Sequence, residues 1–514
     1  MHLKDLTELT NIIDKLVIEP IETLEFIIDN NEYIQIYETL FQTLDEYTSH
    51  NITIYQKGTY KDSMKEHLSD EIDNLFVQEL QKYKDHEDFD DFYDDYIEFK
   101  DAMIQHVIQT YECLVPPRSH NSNPVLFSQT EEYKTEVERA LEYIRMKDEN
   151  CPPQRSTEWH QQRYNLMSAS TAWKVVDKDN YKNAYIYDKC KPLDTNKFAG
   201  VNINTPFHWG TKFEPVSQAY YEYVYNVTVE EFGCIPHRTH DCMGASPDGI
   251  ITTRSSDRYG RMLEIKNIYN RDITGIPKKE YWVQTQYQME CCNLDECDFL
   301  ECRFKLYENE DEFEKDGTFS KSEQGYYKGI IMCFYVNEEP HYEYMPFQCN
   351  REECETWQDE MMDKHKNHSW VKNDYWYLQE VSCVLIQRNK KWFSGVTDTF
   401  LNTWKTILHE RVHGYEHRKP KKRSKKTQDK STMNPQKTVI QLLKLDSNET
   451  TTEKQRSTSM NPLLFRSFQK TESGSTVNDA TKDIETSHKP IPKPRKTKKQ
   501  TQLHPIITID TTSV

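Results

Sequence analysis

Apolar residues recur at helical spacing from the start of the chain: Leu6, Leu9, Ile12, Ile13 and Leu16, then a similar pattern over Ile21–Thr43 after Pro20. Between Asp85 and Asp101 acids crowd around Phe89, Phe92, Tyr93, Tyr96 and Phe99, which predicts a helix with an aromatic core face and an acidic solvated face. Residues 1–115 are therefore expected to form a helical, acidic region. Residues 116–129, opening Pro116-Pro117-Arg118-Ser119-His120, have the composition of a linker. A helix is predicted over about Thr130–Met146, and Thr157 is a candidate cap for another.

Residues 177–204 read as a surface insert. Pro206 then suits the first turn of a helix whose buried stripe is Trp209, Phe213, Val216, Tyr220 and Val224, with a kink or a later start at Pro215. Val227–Cys234, Asp298–Leu306, Tyr326–Val336 and Tyr375–Gln387 are rich in strand formers, and Glu308–Lys321 reads as an acidic loop. Phe400, Trp404, Ile407, Leu408 and Val412 predict a last amphipathic helix that ends at Gly414.

The most informative stretch is Gly244–Lys266. Ser246-Pro247-Asp248-Gly249-Ile250-Ile251 and Leu263-Glu264-Ile265-Lys266 flank a polar turn, which predicts a hairpin centred near Ser256. That register sets Asp248 opposite Glu264. Strand alternation puts Glu264 and Lys266 on one face and Ile265 on the other. Two carboxylates and an ammonium on one face suit a divalent cation: the carboxylates are hard oxygen ligands, and the lysine can steady or deprotonate a water.

Composition qualifies this picture. The 514 residues allow two or three domains, and 36% hydrophobic against 29% charged is polar for a wholly folded chain. Net charge is −19, which by itself neither requires nor excludes a nucleic-acid partner. The acidity is uneven: from Tyr415 onward 21 Lys and Arg stand against 10 Asp and Glu. Residues 416–514 are expected to be a disordered basic tail, with clusters at Lys419–Lys426 and Lys493–Lys499 that could hold DNA or act as an address signal. No apolar run approaches a membrane span, and no apolar signal segment follows Met1, so an intracellular protein is expected: in the cytoplasm or a viral replication compartment, with nucleus and virion as alternatives. The 13 cysteines are scattered. Cys291, Cys292, Cys297 and Cys302 lack a Cys-x-x-Cys pair and are read as buried thiols.

Asp248 followed by Glu264-Ile265-Lys266 resembles the PD-(D/E)xK nuclease pattern. The spelling Ala245-Ser246-Pro247-Asp248-Gly249 resembles its lambda exonuclease and YqaJ-type viral recombinase branch. Other blocks follow in that family's order: Trp159-His160 with Arg163 and Ser168-Ala169-Ser170, Trp209-Gly210 with Glu214, and Tyr281 with Gln284, Gln286 and Met289. The resemblance implies that Asp248, Glu264 and the Ile265 carbonyl hold Mg²⁺ (Mn²⁺ as substitute), with Glu214 serving a second ion or its water. It implies catalytic work for Lys266 and Gln284, and DNA phosphate contacts at Arg163, Ser170, Arg271 and Tyr281. Arg271 falls one residue short of the family spacing.

The expected fold is α/β, a mixed central sheet flanked by helices with a restriction-endonuclease-like core, over 130–415. The expected activity is Mg²⁺-dependent DNA exonuclease action, 5′-to-3′ on duplex ends, in viral-type recombination, repair or replication. DNA is the implied partner, with a single-strand annealing protein and a homo-oligomer admitted and no membrane. An endonuclease of the same superfamily and a noncatalytic DNA-binding or virion protein remain as alternatives.

Overall fold

A computed structural model describes residues 29–85, 89–120, 130–154, 156–193, 205–336 and 339–420. The expected helix at Leu6–Leu16, the Lys493–Lys499 cluster and the tail from Lys421 onward lie outside the described residues. Those described fall within one compact unit.

Seven strands form the main sheet. In chain order they are β2 (Val229–Glu230), β5 (Gly249–Ile251), β6 (Met262–Asn267), β7 (Glu296–Leu306), β8 (Lys328–Val336), β9 (Glu339–Tyr344) and β10 (Ser369–Gln387). Their spatial order is β2-β5-β6-β7-β10-β8-β9. Only β6 and β7 run parallel; the other neighbours are antiparallel. A small second sheet pairs β1 (Met167–Ser168), β4 (Met243–Ala245) and β3 (Ile235–Pro236). The fold class is thus mixed α/β with a helix-flanked sheet, as the strand and helix patterns predict.

The central strands are apolar on both faces because both are covered. Leu263 and Ile265 of β6 and Leu300, Cys302 and Phe304 of β7 pack beneath Phe213, Val216 and Tyr221 of α8 (Pro206–Tyr225). Met262, Cys297 and Phe299 turn to the opposite face, under Trp282, Val283, Tyr287 and Met289 of α9 (Lys279–Cys292). That second core continues into α1 (Asn30–His50), α2 (Tyr60–Tyr83), α3 (Phe89–Leu114), α4 (Glu131–Asp148) and α12 (Lys390–His413). The stretch read as a linker is tied down at its start: buried Arg118 donates to the carbonyls of Tyr55 and Pro277.

Several local expectations are corrected. Part of the supposed surface insert is helix α7 (Asp179–Cys190), which buries Tyr185, Ile186 and Cys190. Helix α8 runs through Pro215, and its face is set by Phe213, Val216 and Tyr221, leaving Val224 40% exposed. The acidic loop contains a short helix, α10 (Glu310–Lys315), seated by Phe313. Helix α12 begins ten residues before Phe400, so Trp392, Phe393 and Val396 join its core face while Leu408 and Val412 point to solvent.

Candidate active site

The hairpin pairs Gly249 with Leu263 and Ile250 with Met262, so its centre lies at Ser256 and Asp248 falls across from Glu264. Gly249 is required there: a Cβ would meet Val229 Cγ1 at 2.1 Å, and the clash would push the strand, and Asp248 with it, off β2. The Ile265 N–H donates to Asp248 Oδ2 at 2.7 Å. Lys266 Nζ donates to Glu264 Oε1 and, at 3.2 Å, to the Ile265 carbonyl.

Glu264 is fully buried and is held by two amides from α9. Gln284 Nε2 donates to its Oε1 at 2.6 Å, and Gln288 Nε2 to its Oε2 at 2.7 Å. Gln288 also donates to the Ser246 carbonyl at 3.0 Å, tying the strand before Asp248 to the same helix. Gln288 is the residue that sequence reasoning missed. It lies four residues after Gln284, hence on the same helix face. Gln286 faces away, bonded to the Gln387 carbonyl and the Asn389 N–H.

The charges explain how the site is poised. Burial, then the Glu264 charge, raises the Asp248 carboxyl well above the usual range, with a further push from exposed Glu214 on α8. Burial alone would lower the Lys266 ammonium, but Glu264 and Asp248 outweigh it and hold the lysine protonated. The ammonium thus sits against an anionic oxygen and a carbonyl oxygen beside a second carboxyl. That donor set fits a hard divalent cation, with Asp248, Glu264 and the Ile265 carbonyl as its holders.

The structure also brings together Arg163 and Ser170, at the end of α5 (Thr157–Tyr164) and in α6 (Ala169–Ala172). The guanidinium donates to Ser170 Oγ at 3.3 Å and lies 4.6 Å over the Trp159 ring. Lys189 of α7 braces them from behind by donating to the carbonyls of Arg163 (2.5 Å) and Leu166 (2.7 Å). Burial, with Arg163 and Arg411 nearby, pushes the Lys189 ammonium down to about 7. A depressed lysine lowers stability most below that pH, and the penalty fades as pH rises from about 7 toward its unfolded value. Lys189→Met is therefore expected to gain most over the wild type near pH 6 and progressively less toward pH 9. Thermal melts of both proteins across that range check this; a constant gap would contradict it.

Arg271 is engaged elsewhere: it pairs with buried Glu301 and lies 5.5 Å from the Tyr281 ring. Lys266 Nζ lies 5.4 Å from that same ring, so both cations neighbour Tyr281. Cys291, Cys292, Cys297 and Cys302 are buried free thiols, and burial pushes Cys292 and Cys302 up to about 12.

Residues 158–295 match the family described as the YqaJ-like viral recombinase domain. The matched stretch contains Arg163, Ser170, Glu214, Asp248, Glu264, Lys266, Gln284 and Gln288, and over it the chain is similar to that family. An uncharacterized protein of Acanthamoeba polyphaga mimivirus is 30% identical over 339 residues, 56% of this chain. The chain spans about 60% of that relative's length. Two crystal structures of LHK-Exo, an alkaline exonuclease from Laribacter hongkongensis, are similar at 20% identity, one of them in complex with dAMP. They cover 50% and 51% of this chain and 95% of their own, with TM-scores of 0.29 and 0.28. Among the described residues no helix is long and apolar enough to cross a membrane.

Proposed function

We propose that the chain is a divalent-metal-dependent deoxyribonuclease that digests duplex DNA from its ends, 5′ to 3′, in viral-type recombination, repair or replication. One observation carries this reading: Asp248, Glu264, the Ile265 carbonyl and Lys266 converge on one side of a hairpin inside the YqaJ-like segment. Mg²⁺, when bound by those oxygens, would supply Lewis-acid stabilisation of charge on the phosphate and the leaving oxygen. With a cation at the Glu264 and Asp248 oxygens in place of the ammonium, Lys266 would give its proton up to solvent, and the free amine would then take a proton from the attacking water. Gln284 and Gln288 keep both Glu264 oxygens aimed without adding charge. Glu214 adds a carboxylate at the mouth.

Arg163 and Ser170 seat the terminal 5′ phosphate, the guanidinium by paired donors and the hydroxyl by one more. In this reading residues 130–415 form the catalytic body, and the basic segment beyond 416 adds an electrostatic hold on DNA.

The test is digestion of end-labelled linear duplex beside a covalently closed circle, with Mg²⁺ and with chelator. Loss of the linear form alone, from its 5′ ends, is expected; cutting of the circle would make the enzyme an endonuclease. Arg163→Gln should reduce the preference for 5′-phosphorylated over 5′-hydroxyl ends by about tenfold to a hundredfold, as loss of charge-assisted bonds predicts. An unchanged preference would remove the phosphate seat from the proposal.

A further inference from the structure

A second group of ligand-type side chains lies at the other edge of the sheet. His341 and Glu343 stand two residues apart on edge strand β9, hence on one face. His365 follows the last residue of α11 (Arg351–Lys364) and brings its ring to the same place. His341 Nε2 lies 3.1 Å from Glu343 Oε1, and His365 Nε2 lies 2.7 Å from that oxygen. The three ligand atoms all fall within 4.8 Å of one another.

The His365 ring is fixed from two sides. Phe334 of β8 stacks on His365 with centroids 4.3 Å apart. The other nitrogen of His365, Nδ1, lies 3.2 Å from His368 Nδ1, so Nε2 is the one presented to Glu343. Lys364 Nζ also reaches Glu343 Oε1, at 2.7 Å. One carboxylate oxygen therefore faces three nitrogens, so the two imidazoles and the carboxylate already converge on one point. The Lys364 side chain is 56% exposed and can turn into solvent.

We propose that His341, Glu343 and His365 form a zinc site that clamps edge strand β9 to the end of α11. Two imidazole nitrogens and one carboxylate match the ligand types of Zn²⁺ and are poor for Mg²⁺ or Ca²⁺, which prefer all-oxygen shells. Three protein ligands would leave the fourth position of a tetrahedral zinc to water. The site is separate from the Asp248 centre: β9 lies four strands from β6, roughly 19 Å at the usual strand spacing. It stands whether or not the nuclease reading holds.

The experiment uses the full chain, stripped with chelator and titrated with Zn²⁺ alone in competition with a chromogenic chelator, in excess Mg²⁺. Wild type is compared with His341→Ala, on the exposed side, and Glu343→Gln, which keeps the shape. Wild type should bind one more equivalent than either variant, or bind it at least about a hundredfold more tightly, and only wild type should gain melting temperature from that equivalent. Equal stoichiometry, affinity and thermal gain in all three would overturn the proposal and assign the zinc to cysteines or the other carboxylates. Failure of wild type to bind zinc would overturn it as well.

Discussion

Lys266→Ala is expected to slow Mg²⁺-dependent digestion of duplex DNA by about 10²- to 10⁴-fold, the range for removing a positioned general base. Among the described residues the ammonium is the one cation bonded to Glu264, and it lies within hydrogen-bond reach of the Ile265 carbonyl. Two consequences separate this from simple damage to the fold. In chelator the variant should melt below wild type, because Glu264 and the raised Asp248 carboxyl lose their compensating charge. With Mg²⁺ present the melting gap should close, since a divalent ion restores positive charge at the same oxygens, yet the rate should stay low. Single-turnover digestion and melts, each with and without Mg²⁺, provide the four measurements. Equal rates for variant and wild type would leave the lysine with an electrostatic role only.

The hairpin was legible because its information is local. The spacing from Asp248 to Glu264, the turn-forming residues between them and strand alternation are enough to predict that the two carboxylates face each other. The fold class was legible for the same reason: strand-forming runs and amphipathic helices alternate through 150–415. Other parts depended on distant partners. Helix α7 looked like an insert because its apolar residues, Tyr185, Ile186 and Tyr187 in a row and then Cys190, show no helical stripe, and only packing against α12 identifies the buried side. Pro215 suggested a break, but the helix on both sides is held by Phe213 and Tyr221 against the sheet. Gln288 could have been found by stepping one turn on from Gln284. His341 and His365 could not, since 23 positions of chain, including a helix, lie between them and nothing local signals that β9 and the end of α11 meet.

The charges under the hairpin were also hidden, because Arg258, Arg261, Glu296 and Asp298 read as ordinary polar positions. In the fold they are buried together, and they yield the largest expected stability effect. Asp298 Oδ2 accepts from Arg258 and, at 2.5 Å, from the Tyr221 hydroxyl; Oδ1 accepts from Arg261 at 3.2 Å. Arg261 also donates to Glu296 at 2.6 Å, and the Arg258 guanidinium lies 3.6 Å over Tyr225. Arg258 and Arg261 belong to the turn that joins the Asp248 and Glu264 strands, so this network fixes the hairpin to β7. Asp298→Ala would leave two buried guanidinium groups short of negative charge, at a cost of about 3–5 kcal/mol. A fall in Tm of roughly 4–6 °C is expected for a folded unit of this size. Asp298→Asn keeps an acceptor for Tyr221 and should lose less. Because the turn is loosened, both variants should also need more Mg²⁺ for half-maximal digestion, in the same order as their loss of stability. A melting temperature within about 1 °C of wild type for Asp298→Ala would mean that the buried arginines find other partners. The hairpin would then be held by its backbone pairing, by the Asp248 bond to the Ile265 N–H and by Gln284 and Gln288.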